Sequence, residues 1–479
     1  MENQKNAPRL GENKMRVMPV GKLLFTMALP LAISMLVQAF YNIVDTYFVS
    51  LVSTDATGAL SFAFPIQNLQ IGCSTGIAVG VNSLLSKSLG EGNRDRANQA
   101  AGNGIVLMLI MIVFFMLFGL FGTKAYYSMF HISETTRQYG ISYTSICCIF
   151  TLGVFVEIMG ERLLQASGRT VYTLFTQGIG AVMNIVLDPL FILGSVGLKE
   201  VLGIRLPFAF PAFGVAGAAI ATVIGQWVAG IMAVIFNLTK NPDVKFRFDY
   251  LRLRKDIVGK ILLVGIPSII MMAIGSVMTF CMNQVFLGFS DTYGQTPANV
   301  FGIYFKLQSL FLMPLFGINN ASISIIAYNY GARLPKRITG TLKCALFSAL
   351  VIMLLGFCVF QAIPDKLMGI FGSSGDESAA AMVKMGVNAM RIVSIHFPIA
   401  AVGIALGASF QALGNGIYST ITSLCRQLIA LVPAAYLLSL TGSVDAVWWS
   451  FPIAEVVSAA ATLFFYPRIY RQKVKPLYE

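Results

Sequence analysis

Charge is what this 479-residue chain has least of: only 11% of it is Asp, Glu, Lys or Arg, where soluble proteins carry about a quarter. Most of the surface must therefore face something other than water. Histidine is limited to two isolated residues, His131 and His396. No nucleophile–base pair, metal cluster or catalytic dyad stands out, so an enzyme is not expected. The seven cysteines (Cys73, Cys147, Cys148, Cys281, Cys344, Cys358 and Cys425) lie in or beside apolar segments without paired ligand spacing. They read as small packing residues, not as a disulfide or zinc framework, and no cofactor is expected. A cleavable leader is not expected either: the first 20 residues are polar and basic, and the first apolar stretch is too long for a signal core.

What the chain does have is apolar sequence, 56% of it hydrophobic. Runs between polar breaks fall near 21–50, 56–86, 98–123, 138–165, 171–194 and 211–238, then near 257–289, 297–328, 340–363, 383–411, 417–440 and 443–467. Each approaches or exceeds the roughly 20 residues that cross a bilayer, which predicts an all-α integral membrane protein of twelve spans. The net charge of +13 is not a nucleic-acid signal, because the basic residues alternate between loops. Twenty-six lie on the side of the N-terminus, including Lys87, Arg94, Arg96, Lys240, Lys245, Arg247, Arg333 and Arg337, with Arg162, Arg169 and Arg426 taken to mark helix ends there. Six lie opposite: Lys124, Arg137, Lys199, Arg205, Lys366 and Lys384. The positive-inside rule then places both termini in the cytoplasm and the chain in the cell membrane.

The two sets of six resemble each other. A shift of 241 matches Phe64, Gln67, Leu69, Gly76, Ser83, Gly90 and Arg96 with Phe305, Gln308, Leu310, Gly317, Ser324, Gly331 and Arg337. A shift of 246 matches Gln165, Ala166, Gly168 and Tyr172 with Gln411, Ala412, Gly414 and Tyr418, and a shift of 237 matches Pro30, Ile33 and Met35 with Pro267, Ile270 and Met272. Units of six spans enter from the same side, so the repeats are parallel. The expected organisation is a six-helix lobe at 1–238, a basic cytoplasmic linker at 239–260 and a second six-helix lobe at 261–479, around a central cleft suited to alternating access.

Intramembrane polar residues each require a reason, since one charge at mid-bilayer costs roughly 2.5–3.5 kcal/mol. Gln38, Asn42 and Asp45 share one face of the first span, and Asn184 and Asp188 one face of the fifth. Both spans run outward, and the sixth can bring Thr222 to similar depth. Two carboxylates in a low dielectric cannot both stay ionised cheaply, so the cluster can hold a proton, or its oxygens can ligate a small cation. From spacing alone, a buried network that only joins helices fits equally. The second half has Lys306, Arg391, His396 and Glu455 inside spans. These are candidates for a substrate cleft, against snorkelling or ion-paired cations and a satisfied core histidine. Glu157, one turn from Glu161 and Arg162, reads as structural.

The segments ALPLAISMLVQAFYNIVDTYFVS at 28–50, MNIVLDPLFI at 183–192, LLQASGRTVY at 163–172, GVAGAAIATVIGQ at 214–226 and IIAYNYGAR at 325–333 resemble the multidrug and toxic compound extrusion family, in particular its DinF and MepA branches. The likeness covers essentially the whole chain. It implies that Asp45, Asn184, Asp188 and Thr222 form a proton or sodium site, with metal ligation by Asp45, Asn184 and Asp188 only if the ion is Na⁺. It also implies that Pro30 lets the first helix bend when that site is filled. Branches that use acids in the seventh and tenth helices are not matched, since Thr279, Asn283 and His396 offer no carboxylate. The expected function is a secondary antiporter, a monomer, that exports small organic solutes or drugs in exchange for H⁺ or Na⁺. A flippase for a lipid-linked saccharide or cell-wall precursor is the alternative.

Overall fold

The structure, a computed structural model, describes residues 13–130, 132–203, 207, 209–294, 296–369 and 377–479, with the side chains at 42, 43, 46, 50, 54, 57, 202 and 377–379 left outside the description. Among the described residues all regular structure is helical. The principal helices are α1 (Val20–Ser50), α2 (Thr54–Gly90), α3 (Arg94–Leu117), α4 (Glu134–Ile149), α5 (Leu152–Ala166), α6 (Val171–Leu202), α7 (Gly214–Lys240) and α8 (Lys255–Leu287). They continue as α9 (Thr296–Gly331), α10 (Pro335–Ala362), α11 (Glu377–Val393), α12 (Phe397–Ala412), α13 (Gly416–Leu424), α14 (Val432–Ser439) and α15 (Ser450–Ile469). Among the described residues eleven helical runs are long and apolar enough to cross a membrane, and the pair α4–α5 makes up to a twelfth. Lipid offers no partner to a backbone N–H or C=O, and a continuous apolar run of this length meets that demand within itself as a helix. Large apolar side chains stand exposed along them, among them Phe25, Phe40, Phe114 and Phe464, as a lipid-facing surface requires.

The fourth span, expected as one run over 138–165, is instead bent by 48° between α4 and α5. The carbonyls freed at the bend are taken by neighbours in the fold. Gln70 donates from Nε2 to Cys147 O at 3.3 Å, and Trp227 from Nε1 to Phe150 O at 3.2 Å. A kink inside a membrane persists only with such replacement donors. Gly194, where the fifth span was expected to end, has φ of +66°. There the backbone turns, and Ser195 N donates to Phe210 O at 2.9 Å.

Packing divides the chain into two compact units, Ile33–Ile269 and Met1–Ala32 with Ile270–Glu479, called here the amino-terminal and carboxy-terminal units. The boundaries cut α1 and α8 two residues after Pro30 and Pro267, the prolines inside those helices. Proline removes one helical hydrogen bond and crowds the preceding turn, so each half-helix is free to pack with different neighbours. Division by repeat follows chain order, whereas division by packing exchanges the first half of each repeat's first helix.

Each exchanged half-helix is held in the same way. A methyl at Gly317 of α9 would lie 2.6 Å from Ala32 N, and one at Gly76 of α2 would lie 2.8 Å from Gly265 O and 3.0 Å from Ile269 N. Glycine at these two matched positions lets backbones touch. The segments before α1 and α8 are clamped by asparagine side chains. In the carboxy-terminal unit, Asn329 Nδ2 donates to Met15 O (3.3 Å), while Arg337 Nη2 donates to Met15 O (3.0 Å) and Met18 O (2.7 Å). In the amino-terminal unit, Asn103 of α3 donates to Tyr250 O and Arg252 O and accepts from Arg254 N, and Asn98 accepts from Lys245 N at 2.8 Å.

Candidate functional site

Helices α6 and α7 approach closely because each offers glycine to the other: a methyl at Gly225 would sit 2.9 Å from Gly180 O. The approach brings Asn184 on α6 against Thr222 on α7. Asn184 Nδ2 donates both to Thr222 Oγ1 at 3.3 Å and to Asp188 Oδ1, one turn along, at 3.2 Å. Asn184 is 3% exposed and Asp188 fully buried. Asp45, on the half of α1 beyond Pro30, lies within electrostatic reach of Asp188. Four of the residues expected to act together are thus gathered in the amino-terminal unit. Gln38 is there too, bonded to Tyr41, and the side chain of Asn42 lies outside the described residues.

Three buried oxygens of this cluster, Asp45 Oδ1, Asn184 Oδ1 and Asp188 Oδ2, have no hydrogen-bond partner among the described residues. All are acceptors, and a buried acceptor left unsatisfied costs about 1–3 kcal/mol. They stand open to a proton, a small cation or a cavity water. The donor set of two carboxylates, an amide and a hydroxyl suits a proton or a small hard cation. Among the described residues no group of three or more His, Cys, Asp or Glu side chains could hold a metal ion, so any ion here depends on the amide and hydroxyl as well.

A cavity of about 70 Å³ adjoins the cluster, lined by Gln38, Tyr41, Glu157, Asn184, Thr222 and Gln226 among others. At roughly 10–15 Å³ per water, it has room for a few waters or a small polar group. Tyr41, Glu157 and Gln226 were not among the expected site residues. The i, i+3 spacing from Gln38 to Tyr41 was the available signal for the tyrosine. Glu157 was read together with Glu161, and here the two differ. Glu161 accepts from Thr176 Oγ1 (2.7 Å) and Gln177 Nε2 (2.9 Å), which makes it structural, whereas Glu157 faces the cavity.

The carboxy-terminal unit exposes two of its four candidates and buries the other two. Lys306 and Arg391 have exposed side chains and no ion pair among the described residues. His396 is buried, with Nδ1 2.5 Å from Val393 O and Nε2 3.4 Å from Gln308 Nε2. A carbonyl only accepts and an amide nitrogen only donates, so Nδ1 carries the proton and the ring is neutral. Glu455, 4% exposed, has its Oε2 3.8 Å from Arg426 Nη1. Arg426 was expected at a helix end; it stands ten residues inside the run Gly416–Ser439, in a π-helical stretch Cys425–Leu431. A basic residue inside a span is costly on its own, and the carboxylate that offsets this one is on another helix, out of reach of local sequence.

Comparison with known proteins agrees with this architecture. The MatE family model matches residues 30–190 and 267–437, one match in each repeat. The chain is similar to the FAD transporter of Shewanella oneidensis, 24% identical over 452 residues covering 94% of this chain and 95% of that protein. It is also similar to the multidrug export protein MepA of Staphylococcus haemolyticus, 23% identical with 92% of each chain covered. A solved structure described as MATE in complex with MaL6 shares the fold at a TM-score of 0.86 and 23% identity, covering 95% of this chain and 97% of that one. The chain belongs to the MatE family, as a multi-pass membrane transporter and not an enzyme.

Proposed function

We propose that the protein is an antiporter that exports small organic solutes from the cytoplasm in exchange for H⁺ or Na⁺, acting as a monomer with both termini cytoplasmic. Asp45, Asn184, Asp188 and Thr222 are read as the coupling site, and Pro30 as the hinge of α1. The observation that carries the reading is the trio of buried acceptor oxygens in one cluster that have no partner among the described residues. Asn184 and Thr222 belong both to that cluster and to the cavity wall. A cation drawn to the oxygens would reorient the side chains that line the cavity, so cation and solute would compete for one set of walls. Competition of that kind, combined with alternating access, yields exchange. The names of the relatives, a FAD transporter and a multidrug export protein, span anionic and diverse cargo and leave the solute open.

The test is transport in proteoliposomes under proton and sodium gradients imposed separately. Asp45→Asn and Asp188→Asn are expected to abolish gradient-driven export while the purified protein keeps its size-exclusion profile and melting temperature. Wild-type rates in both variants would refute the coupling site. Loss of drive by only one of the two gradients identifies the ion.

A further inference from the structure

We propose that the Arg426–Glu455 pair in the carboxy-terminal unit binds an anionic group of the carried solute, and that Glu455 takes up a proton when that group displaces it from Arg426. The proposal rests on the reading of the chain as a transporter of organic solutes, but not on the coupling site at Asp45.

The Arg426 guanidinium is unusually available. Its side chain is 32% exposed, its one ion pair is long at 3.8 Å, and it makes no hydrogen bond among the described residues. Five donors in a planar fork are therefore open to a carboxylate, sulfonate or phosphate, groups whose geometry arginine matches. The π-helical turn that carries it points the same way, since such turns occur mostly as local departures in α-helices and often at functional sites. Glu455 is the opposite: its side chain is 5% exposed, and Oε1 is buried with no partner. Facing Oε1 is Gly403, where even a methyl would lie 3.6 Å away. Among the described residues the carboxylate is thus held by one loose cation alone.

Among the described residues no other cation pairs with Glu455. Helices α12, α13 and α14, packed against α15, contain no Asp, Glu, Lys or Arg. Tyr304 of α9 contributes a buried hydroxyl without a partner, within electrostatic reach of Glu455. His396, in the turn before α12, is neutral by its hydrogen bonds and senses Arg426. Lys384 and Arg391 on α11 are exposed, and Asp445 is exposed and bonded to Asn388. When a solute anion pairs with Arg426, the buried carboxylate has no remaining cation and its ionised form becomes untenable. One O–H bond forms on Glu455 with a proton from solvent. One O–H bond breaks in the hydronium or buffer acid that supplies it, and the added negative charge is balanced by that proton.

The experiment uses the full chain in detergent micelles at equilibrium with no gradient, so failure of the antiport reading leaves it unaffected. The probe is 1-naphthalenesulfonate, a fluorescent anion that does not titrate near neutrality, with N-methylquinolinium as its cationic counterpart. The wild type is expected to bind the sulfonate in preference to the cation and to take up close to one proton per site in weakly buffered solution. Arg426→Gln should weaken sulfonate binding at least tenfold. Glu455→Gln should bind it equally or more tightly, because the internal competitor is weakened, but without proton uptake. That second variant decides the matter if Arg426→Gln does not fold. Failure of the wild type to bind the sulfonate, unchanged binding in folded Arg426→Gln, or proton uptake persisting in Glu455→Gln would each overturn the proposal.

Discussion

The two units share their mechanics and differ in their chemistry. Gly76 and Gly317, related by a shift of 241, both bring a backbone against the half-helix that ends just past a proline, at Ile269 in one case and Ala32 in the other. Extending the shift of 246 pairs Glu157 with Gly403 and Gly180 with Arg426, while a shift of 233 aligns Ile220, Ala221 and Val223 with Ile453, Ala454 and Val456, and so Thr222 with Glu455. The stretch answering Asn184 and Asp188, residues 428–435, is apolar throughout. The contacts made by Gly76 and Gly317 each admit only glycine on one side, so these two positions resist change in both copies. A polar side chain in a cavity is limited only by whether its charge is satisfied. The duplicated fold has accordingly kept these glycines, with Pro30 and Pro267, and redistributed its acids and bases. One unit collects carboxylate and amide acceptors, the other an arginine that makes no hydrogen bond among the described residues.

The largest effect should come from the shared mechanics. Gly76→Val and Gly317→Val each force a side chain into backbone, and such overpacking costs about 1–3 kcal/mol or more. Both are expected to lower the melting temperature and the yield of monodisperse protein, whereas Gly302→Ala, with no atom within 4 Å of the added methyl, should not. A large loss from only one member of the matched pair would break the equivalence of the units. Next come the prolines. Pro30→Ala and Pro267→Ala restore one helical hydrogen bond each, and both are expected to slow turnover severalfold with solute affinity little changed. If only Pro30→Ala slows transport, the hinge belongs to one unit and the symmetry is passive. The smallest effects belong to Lys306 and Arg391. Being exposed and without ion pairs among the described residues, their alanine variants should stay within about 0.5 kcal/mol of wild-type stability, by thermal melting. Any change they cause should then appear in solute range alone.

Composition and periodicity determined the class of this protein. Scarce charge and repeated apolar runs leave a helical membrane bundle as the only way to satisfy the backbone, and matched glycines and prolines disclosed the duplication. The polar face bearing Gln38 and Asp45, and the pair Asn184 and Asp188, were legible because helical spacing alone aligns residues on one element. Tertiary structure decided what spacing cannot: which elements meet. Glu157 and Glu161 look alike in sequence, yet Thr176 and Gln177 satisfy one and leave the other facing the cavity. Glu455 takes its cation from Arg426 and not from Lys306 or Arg391, because Arg426 lies on a neighbouring helix whose π-helical turn carries it inside the span. The exchange of half-helices at Ala32 and Ile269 likewise depends on packing between segments far apart in the chain. Local sequence sets each helix and the face it presents, but the partner of a buried charge is set by what the fold brings beside it.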